Sequence, residues 1–438
     1  MARDMKDSRV EWIGEIPKEW HCHFLKVIII QNDGGIWGDD PIDDDGDIVL
    51  RSTEQTIDGK WDIISPAKRN LSKISNKVYY LCKRNDLLIT KSSGSNLHIG
   101  KTTIVDDIIE GMQCYYSNFI QRIRLSQGVS AKYYWYILNS DIARSQFTYM
   151  QNTTSGIGNI NAKHIANLIV PKPPVQEQHG IENHLNVKCA EINNVLEKTR
   201  ASIEEYKKLK QSAITQAITK GIRGNREMKD SQSAWFGQIP SDWNMRKIKY
   251  IFKIQKDIAG KEGHTVLSIT QKGIKPKDLS KNEGQLAENY SNYQLVHIGD
   301  FAMNHMDLLT GWVDISKYEG VTSPDYRVFG LIDMDNYYSK YYLYLMQMCY
   351  MNRIFYGLGQ GVSGLGRWRL QADKFLNFSI TVPSYEEQME IANYLDQKCS
   401  AIDDLIAKKE QYLSEIENYK KSLIYEYVTG KKEVPQEY

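Results

Sequence analysis

Glu177 to Thr219 reads EQHGIENHLNVKCAEINNVLEKTRASIEEYKKLKQSAITQAIT, and Glu387 to Thr429 reads EQMEIANYLDQKCSAIDDLIAKKEQYLSEIENYKKSLIYEYVT. The two align residue for residue without a gap. Glu177-Gln178 falls on Glu387-Gln388, Ile181 on Ile391, Lys188-Cys189 on Lys398-Cys399, Ser212 on Ser422 and Thr219 on Thr429. Roughly a third of the positions are identical, which marks an internal duplication. Both copies read as long helices. In the second, Leu395, Ile402, Ile416 and Leu423 share a seven-residue grid, with Leu405, Tyr412 and Tyr419 between. In the first, Leu185, Ile192, Tyr206 and Ala213 keep that grid, with Val195 and Leu209 between, and Thr199 and Lys409 interrupt it at equivalent places. Such a narrow apolar seam must be buried against another helix. A helix of ~40 residues spans roughly 60 Å and has too little core of its own. Each copy is therefore the natural partner of the other; the alternative is that each packs on its own globular neighbour.

Outward from the helices, a second element is doubled. Trp12-Ile13-Gly14-Glu15-Ile16-Pro17-Lys18-Glu19-Trp20 matches Trp235-Phe236-Gly237-Gln238-Ile239-Pro240-Ser241-Asp242-Trp243. Two tryptophans around a Gly and a Pro make a hydrophobic turn, read as a packing clamp in preference to a ligand contact. Each half then consists of this lead-in, a globular region of ~140–160 residues, normal for one domain, and a long helix. The expected division is 1–175, a helix over 176–220, 221–384 with a linker at 221–230, and a helix over 385–432. The first globular region reads as strands at Asp47–Leu50, Asp86–Thr90, Thr102–Val105 and Phe119–Leu125, then a helix over Ala131–Met150. The second reads as strands at Thr265–Ile269 and Tyr326–Phe329 and a helix over Ser339–Ile354. The fold class is α+β: two mixed, mainly β domains joined by two long helices, with an internal pseudo-twofold repeat.

The chain has 438 residues, enough for two or three domains, and its 41% hydrophobic and 25% charged content is that of an ordinary globular protein. Net charge is only +1, so a nucleic-acid role has to come from local patches. The six cysteines form no Cys-x-x-Cys pair, which argues against a zinc ribbon or disulfide framework and suits a reducing cytosol. Met1 to Val10 is polar, unlike a signal peptide, and the longest aliphatic run, Val27 to Ile30, is too short for a membrane span.

Several stretches imitate catalytic motifs. Gly100-Lys101-Thr102 resembles the end of a phosphate-binding loop, but Ser95 stands where a glycine is needed and a strand follows. Gly359 to Gly364 fits G-x-G-x-x-G but follows a helix. Asp43-Asp44-Asp45-Gly46 would need Pro41 as its first calcium ligand. His21-Cys22-His23 lacks identifiable further metal ligands. No metal site and no catalytic residue is expected. Two loops do have binding chemistry. Thr90 to Lys101 joins two expected strands and offers Lys91, Ser92, Ser93, Ser95, Asn96 and Lys101, groups able to meet phosphates or base edges. Gly299 to Asp307 occupies a comparable place in the second half, with Asn304 and His305; beyond it Arg367-Trp368-Arg369 follows a Gly-rich turn, with Gly156 to Asn161 as its counterpart.

These residues together resemble the specificity subunit of a type I restriction-modification system, over nearly the whole chain. The likeness rests on the doubled W-[IF]-G-x-I-P-x-x-W and on Asp86 to Ser92, Gly299-Asp300-Phe301 and Ser316 to Pro324. The Pro-x-x-x-Glu-Gln starts at Pro173 and Pro383 and the helix end Ser422 to Lys431 add to it. The first helix departs slightly, ending in Ser212 to Gly221. The resemblance implies a non-catalytic, cytoplasmic, DNA-binding protein of phage defence. Its two target-recognition domains would each read half of an asymmetric, interrupted duplex site, and its two helices would pair in an antiparallel coiled coil, space the halves and dock two methyltransferase subunits for adenine-N6 methylation. Restriction and translocase subunits would join for cleavage. S-adenosylmethionine, ATP and magnesium would then sit on the partners and no cofactor on this chain. Under it, Lys91, Ser92, Ser93, Ser95, Asn96 and Lys101 serve the first half-site and Asn304, His305, Arg367 and Arg369 the second. A coiled-coil scaffold that does not bind DNA, and an enzyme with an unrecognised site, are the competing readings.

Overall fold

The structure, a computed structural model, describes residues 3–41, 45–93, 96–151, 159–278, 289–361 and 368–435, with the main chain alone at Asn96 and Gln151. It divides into two units, Met1–Thr199 with Gln411–Tyr438, and Arg200–Glu410.

In the first unit the strands that position the candidate loops are β1 (His21–Phe24), β2 (Ile29–Gly34), β3 (Leu87–Thr90), β4 (Thr102–Ile104), β5 (Ile120–Leu125) and β6 (Ile169–Lys172). Strands β2, β5, β3 and β4 form, in that order, an antiparallel sheet, and β1 pairs with β6. Leu87-Leu88-Ile89-Thr90 is an apolar run because it is buried on both faces. Leu87 and Ile89 face Tyr133, Tyr134 and Ile137 of helix α1 (Ala131–Leu138), while Leu88 faces Val105, Ile109 and Ile120. The helix expected over 131–150 breaks after Leu138 and resumes at Asp141. Asn139 causes the interruption: its side chain accepts from Thr102 N at 3.1 Å and donates to Thr102 O at 2.9 Å, tying it to β4. Helix α2 (Val175–Lys220) follows β6.

The second unit repeats the plan with β7 (Asn244–Lys247), β8 (Phe252–Gln255), β9 (Phe301–Met303), β10 (Val313–Ile315), β11 (Arg327–Leu331), helix α3 (Ser339–Met351), β12 (Ser379–Val382) and helix α4 (Tyr385–Val428). Its antiparallel sheet runs β8, β11, β9, β10, and β7 pairs with β12. Each strand β7 to β12 thus matches the one six earlier, although the intervening sequences share little. Phe252, Phe301 and Phe329 cluster at 5.1–5.3 Å between ring centroids where the first unit has aliphatic side chains.

The long helices belong to both units, the division falling inside each. In the first unit Ile181, Leu185 and Cys189 of α2 pack with Leu423, Tyr427 and Val428 of α4. In the second, Ile214, Ala217 and Ile218 of α2 pack with Ile391, Leu395 and Cys399 of α4. Early residues of one helix meet late residues of the other, so the pairing is antiparallel, and the same side chains also join the globular cores. Ion and amide contacts support it: Lys210 Nζ reaches Asp403 at 2.6 Å and Lys420 Nζ donates to Asn193 at 2.8 Å.

The expected seam is half corrected. Leu185, Leu395, Ile402 and Leu423 are buried, and Ile192, Tyr206 and Ile416 partly so. Val195, Leu209, Leu405, Tyr412 and Tyr419 are 39–56% exposed. The second row consists instead of Cys189, Leu196, Ile203 and Ala217 on α2 and Cys399, Ile406, Leu413 and Tyr427 on α4, four residues beyond each grid position and not three. The grid residues therefore play the d part of the heptad and not the a part.

The doubled lead-in is a clamp on the helix ends. Trp20 and Trp243 are fully buried. Their indole N–H groups donate to Glu177 at 2.8 Å and Glu387 at 3.0 Å. Arg3 bridges Glu19 and Glu177, and Arg226 bridges Asp242 and Glu387. The next residues, Gln178 and Gln388, donate to Pro173 O and Pro383 O and accept from Ser130 N and Tyr338 N, the residues that precede α1 and α3. The Glu-Gln pair therefore joins each long helix to the tryptophan on one side and to a domain helix on the other. Gly221 and Gly430, at φ +72° and +73°, end α2 and α4. A Cβ on Gly430 would lie 2.5 Å from Pro17 and 2.9 Å from Trp20, and one on Gly221 3.2 Å from Trp243. Helix α4 accordingly stops at Val428, short of the expected 432.

The expected linker over 221–230 is also corrected. Met228–Asp230 pairs with Gln238–Pro240, as Met5–Asp7 pairs with Glu15–Pro17. Arg226-Glu227-Met228-Lys229-Asp230-Ser231 repeats Arg3-Asp4-Met5-Lys6-Asp7-Ser8. The second lead-in begins where the linker was placed.

Candidate nucleic-acid interface

The two candidate loops connect equivalent strands, β3 to β4 and β9 to β10. In the first unit Lys91 leaves β3 with its N–H on Phe119 O, and its carbonyl accepts from Ile160 N, both at 2.9 Å. Ser92 forms a β-bridge with Asn159, and its hydroxyl donates to Asn159 Oδ1 at 2.8 Å. In the second unit His305 O accepts from Leu370 N at 3.0 Å. Lys91 thus stands where His305 does, and Asn159-Ile160 where Arg369-Leu370 does. The Gly156–Asn161 and Arg367–Arg369 stretches, paired by sequence, come to matching places through their described residues.

The side chains have different fates. Burial holds the Lys91 ammonium below the usual lysine range, and it has no hydrogen-bond or ion-pair partner among the described residues. A half-buried unpaired cation in the segment that carries the Ser92–Asn159 pair is suited to a phosphate or an electronegative base edge. Lys101 is a correction. It is buried, and its ammonium donates to Ser52 O at 2.6 Å and Gln55 O at 2.7 Å, so it ties the chain to itself. Gly100 beside it, at φ +77°, would place a Cβ 2.7 Å from the Phe147 ring. Asn96 begins a short 3-10 turn; Ser93 lies between it and Ser92; Ser95 and Arg367 lie outside the described residues. The strand Thr102–Ile104 follows Lys101, against a phosphate-binding loop.

In the second unit Asn304 uses its amide oxygen on Met306 N at 3.2 Å and its carbonyl on Tyr350 Oη at 2.7 Å, which shapes the turn. Gly311 closes it, since a Cβ there would lie 2.0 Å from Asp307 O. His305 is buried; burial first, then Arg327 and Arg369, push its imidazole down to about 3. Arg369 pairs with Gln360 in a short ladder whose Trp368 stacks on Tyr356 at 5.1 Å. Arg327, on β11, was missed by sequence reading because in a strand of core residues it looks like one solvent-facing position. Its neighbour across the ladder is Met303, and the first-unit position in that register is Gln121, whose amide donates to Asn32 at 2.8 Å. Among the described residues no group of His, Cys, Asp and Glu is arranged to hold a metal, and no helix is long and apolar enough to cross a membrane.

The fold and loops define a class: a duplicated, helix-linked protein that presents two differently armed polar loops on one repeated scaffold. The family model described as type I restriction modification DNA specificity domain matches residues 42–205 and 240–418, and the chain belongs to that family. Its part is DNA sequence recognition, not catalysis. The chain is similar to the type I restriction enzyme MjaVIII specificity subunit of Methanocaldococcus jannaschii, at 25% identity over 82% of this chain and 81% of that one. It also resembles a chain from a structural study of complex assembly and conformational transition of the type I R-M system, with TM-score 0.69 and 13% identity, covering 95% of this chain and 99% of that chain. That likeness is one of fold.

Proposed function

We propose that the two units each read one half of an interrupted, asymmetric duplex site, and that α2 and α4 set the length of the unread gap. The observation that carries this is the repetition of one sheet order with different residues at equivalent loop and strand positions: Lys91, Gln121 and Asn159 against His305, Arg327 and Arg369. Duplicated scaffolds with unlike reading loops suit two unlike half-sites. The same helices dock two methyltransferase subunits, which methylate adenine at N6 using S-adenosylmethionine. Motor-nuclease subunits using ATP and magnesium join them to cut unmodified DNA in the cytoplasm. This chain holds no cofactor of its own.

The test is single-molecule methylome sequencing of cells with and without the gene, each supplied with a cognate methyltransferase subunit. The expected result is a bipartite motif carrying N6-methyladenine only when the gene is present. A stable complex with an active methyltransferase but no such motif would overturn the reading in favour of a scaffold.

A further inference from the structure

In the second unit three nitrogen-rich side chains converge around the main chain of Leu370. Leu370 N donates to His305 O, and Leu370 O accepts from Arg327 Nη2, both at 3.0 Å. Arg369 is the preceding residue. His305 and Arg327 are each only 5% exposed. His305 Nδ1, Arg327 Nη1 and Arg369 Nε are buried and have no hydrogen-bond partner among the described residues. Neither guanidinium forms an ion pair among the described residues, and the apolar face of Arg327 lies 4.8 Å from the centroid of the Phe375 ring. Two guanidiniums held together without a carboxylate repel each other, and buried orphan polar groups cost free energy of roughly 1–3 kcal/mol each. Such an arrangement persists where an external acceptor completes it. Arg122, fully buried in the first unit, also leaves its Nε unpartnered, but its other nitrogens donate to Tyr79 O and Leu81 O and pair with the Asp33 carboxylate at 2.9 Å, so its charge is balanced where those of Arg327 and Arg369 are not.

We infer that His305, Arg327 and Arg369 form a preformed seat for one backbone phosphate of bound DNA, which fixes the second unit on the duplex while neighbouring side chains read bases. A backbone phosphodiester supplies two non-bridging acceptor oxygens and the missing negative charge, whereas a guanine edge offers two acceptors and no net charge. The burial of His305 and Arg327 also favours a site that positions over one that scans base edges. The equivalent first-unit place holds Lys91, Gln121 and Asn159, one cation among amides, so the two units grip DNA unequally. The inference rests on the DNA-recognition reading and adds the contact by which the second unit is anchored.

The experiment uses the full chain with its methyltransferase subunits, and labelled duplexes carrying either the methylated motif or a scrambled sequence. Anisotropy is measured across a salt series for wild type, Arg369→Gln and Arg369→Lys, the half-buried member chosen so that the fold survives, with thermal melts as control. A phosphate seat predicts that Arg369→Gln weakens both duplexes by a similar factor, roughly tenfold, and lowers the slope of log affinity against log salt by about 1. Arg369→Lys restores the slope. Duplexes with single methylphosphonates identify the site: one neutral linkage weakens wild type and leaves Arg369→Gln unaffected. A loss confined to the motif duplex with a relaxed motif assigns a base contact and overturns the seat, as does an unchanged slope with a lowered melting temperature. If wild type itself fails to prefer the motif duplex, the recognition reading has failed and not only the seat.

Discussion

Glu387 carries a charge at a place that is 1% exposed on its side chain, between the Arg226 guanidinium and the Trp243 indole. Removing one member of such a buried, hydrogen-bonded group strands the others. Glu387→Ala is expected to cost the second unit about 3–5 kcal/mol, the range for an opened buried pair. Glu177, its counterpart, is 27% exposed on its side chain, so water partly replaces the lost partner and Glu177→Ala costs less. Urea unfolding of both variants checks the order; an equal or reversed cost would refute the clamp's asymmetry. Lys101 gives a second residue-level prediction. Its ammonium satisfies two main-chain carbonyls, so Lys101→Met should lower the melting temperature, with roughly 1–3 kcal/mol lost, and leave the salt slope of DNA binding unchanged. A reduced slope with unchanged stability would return Lys101 to the DNA interface. The sequence shows that Lys91 and Lys101 share a loop, but not which ammonium the chain consumes. That depends on where Ser52 and Gln55 are placed, some fifty residues earlier, and local patterns do not carry such distances. Arg327 was illegible for the same reason: its role depends on Leu370 and His305 arriving over it.

At the scale of an element, the seven-residue grid was plain and its second row was not. Both candidate rows are apolar in places: Val195 adjoins Leu196, Leu405 adjoins Ile406 and Tyr412 adjoins Leu413. A heptad spaces its core residues alternately by three and four, so a grid alone does not say whether the next core residue lies three or four ahead. Packing decides it, since Cys189 and Cys399 already belong to the unit cores and set the phase for the turns that follow. The consequence is a paired measurement. Leu196→Ala and Ile203→Ala are expected to cost about 2–4 kcal/mol, as buried truncations do. Val195→Ala and Leu209→Ala are expected to cost less than about 0.5 kcal/mol, as exposed ones do. Thermal melts of the four variants check the phase, and equal losses in both pairs would contradict it. The sheets were legible as strands such as Leu87–Thr90 because an apolar run is local. Their order was not, because β5 inserts between β2 and β3 through pairings of Ile123 with Asn32 and Leu87 that no nearby residue announces.

At the scale of the whole chain, duplication was the most legible feature, and it could have been read further. The register that aligns Trp12 with Trp235 also aligns Arg3-Asp4-Met5-Lys6-Asp7-Ser8 with Arg226 to Ser231, which would have replaced the linker with the start of a second lead-in. What remained closed to sequence reading was the assignment of each long helix to both units, because a helix boundary looks continuous while packing changes partners along it. This sharing makes the helices testable as spacers. Seven residues inserted after Thr199 and seven after Glu410, continuing the local heptad, preserve each unit's half of the seam and lengthen both helices by about 10 Å at 1.5 Å per residue. Duplex DNA advances ~34–36 Å in 10–10.5 base pairs, so that length corresponds to about three base pairs. Three base pairs also turn the duplex by roughly a quarter of a revolution, which strains the grip on both half-sites and should reduce methylation. The sites that are still methylated should nevertheless keep both half-sequences and carry a gap longer by about three base pairs. Methylome sequencing of cells carrying the doubly extended chain reads this directly. An unchanged gap would mean that the unread spacing is set by something other than α2 and α4, and loss of one half-sequence would mean that the insertion damaged a unit and not the spacer.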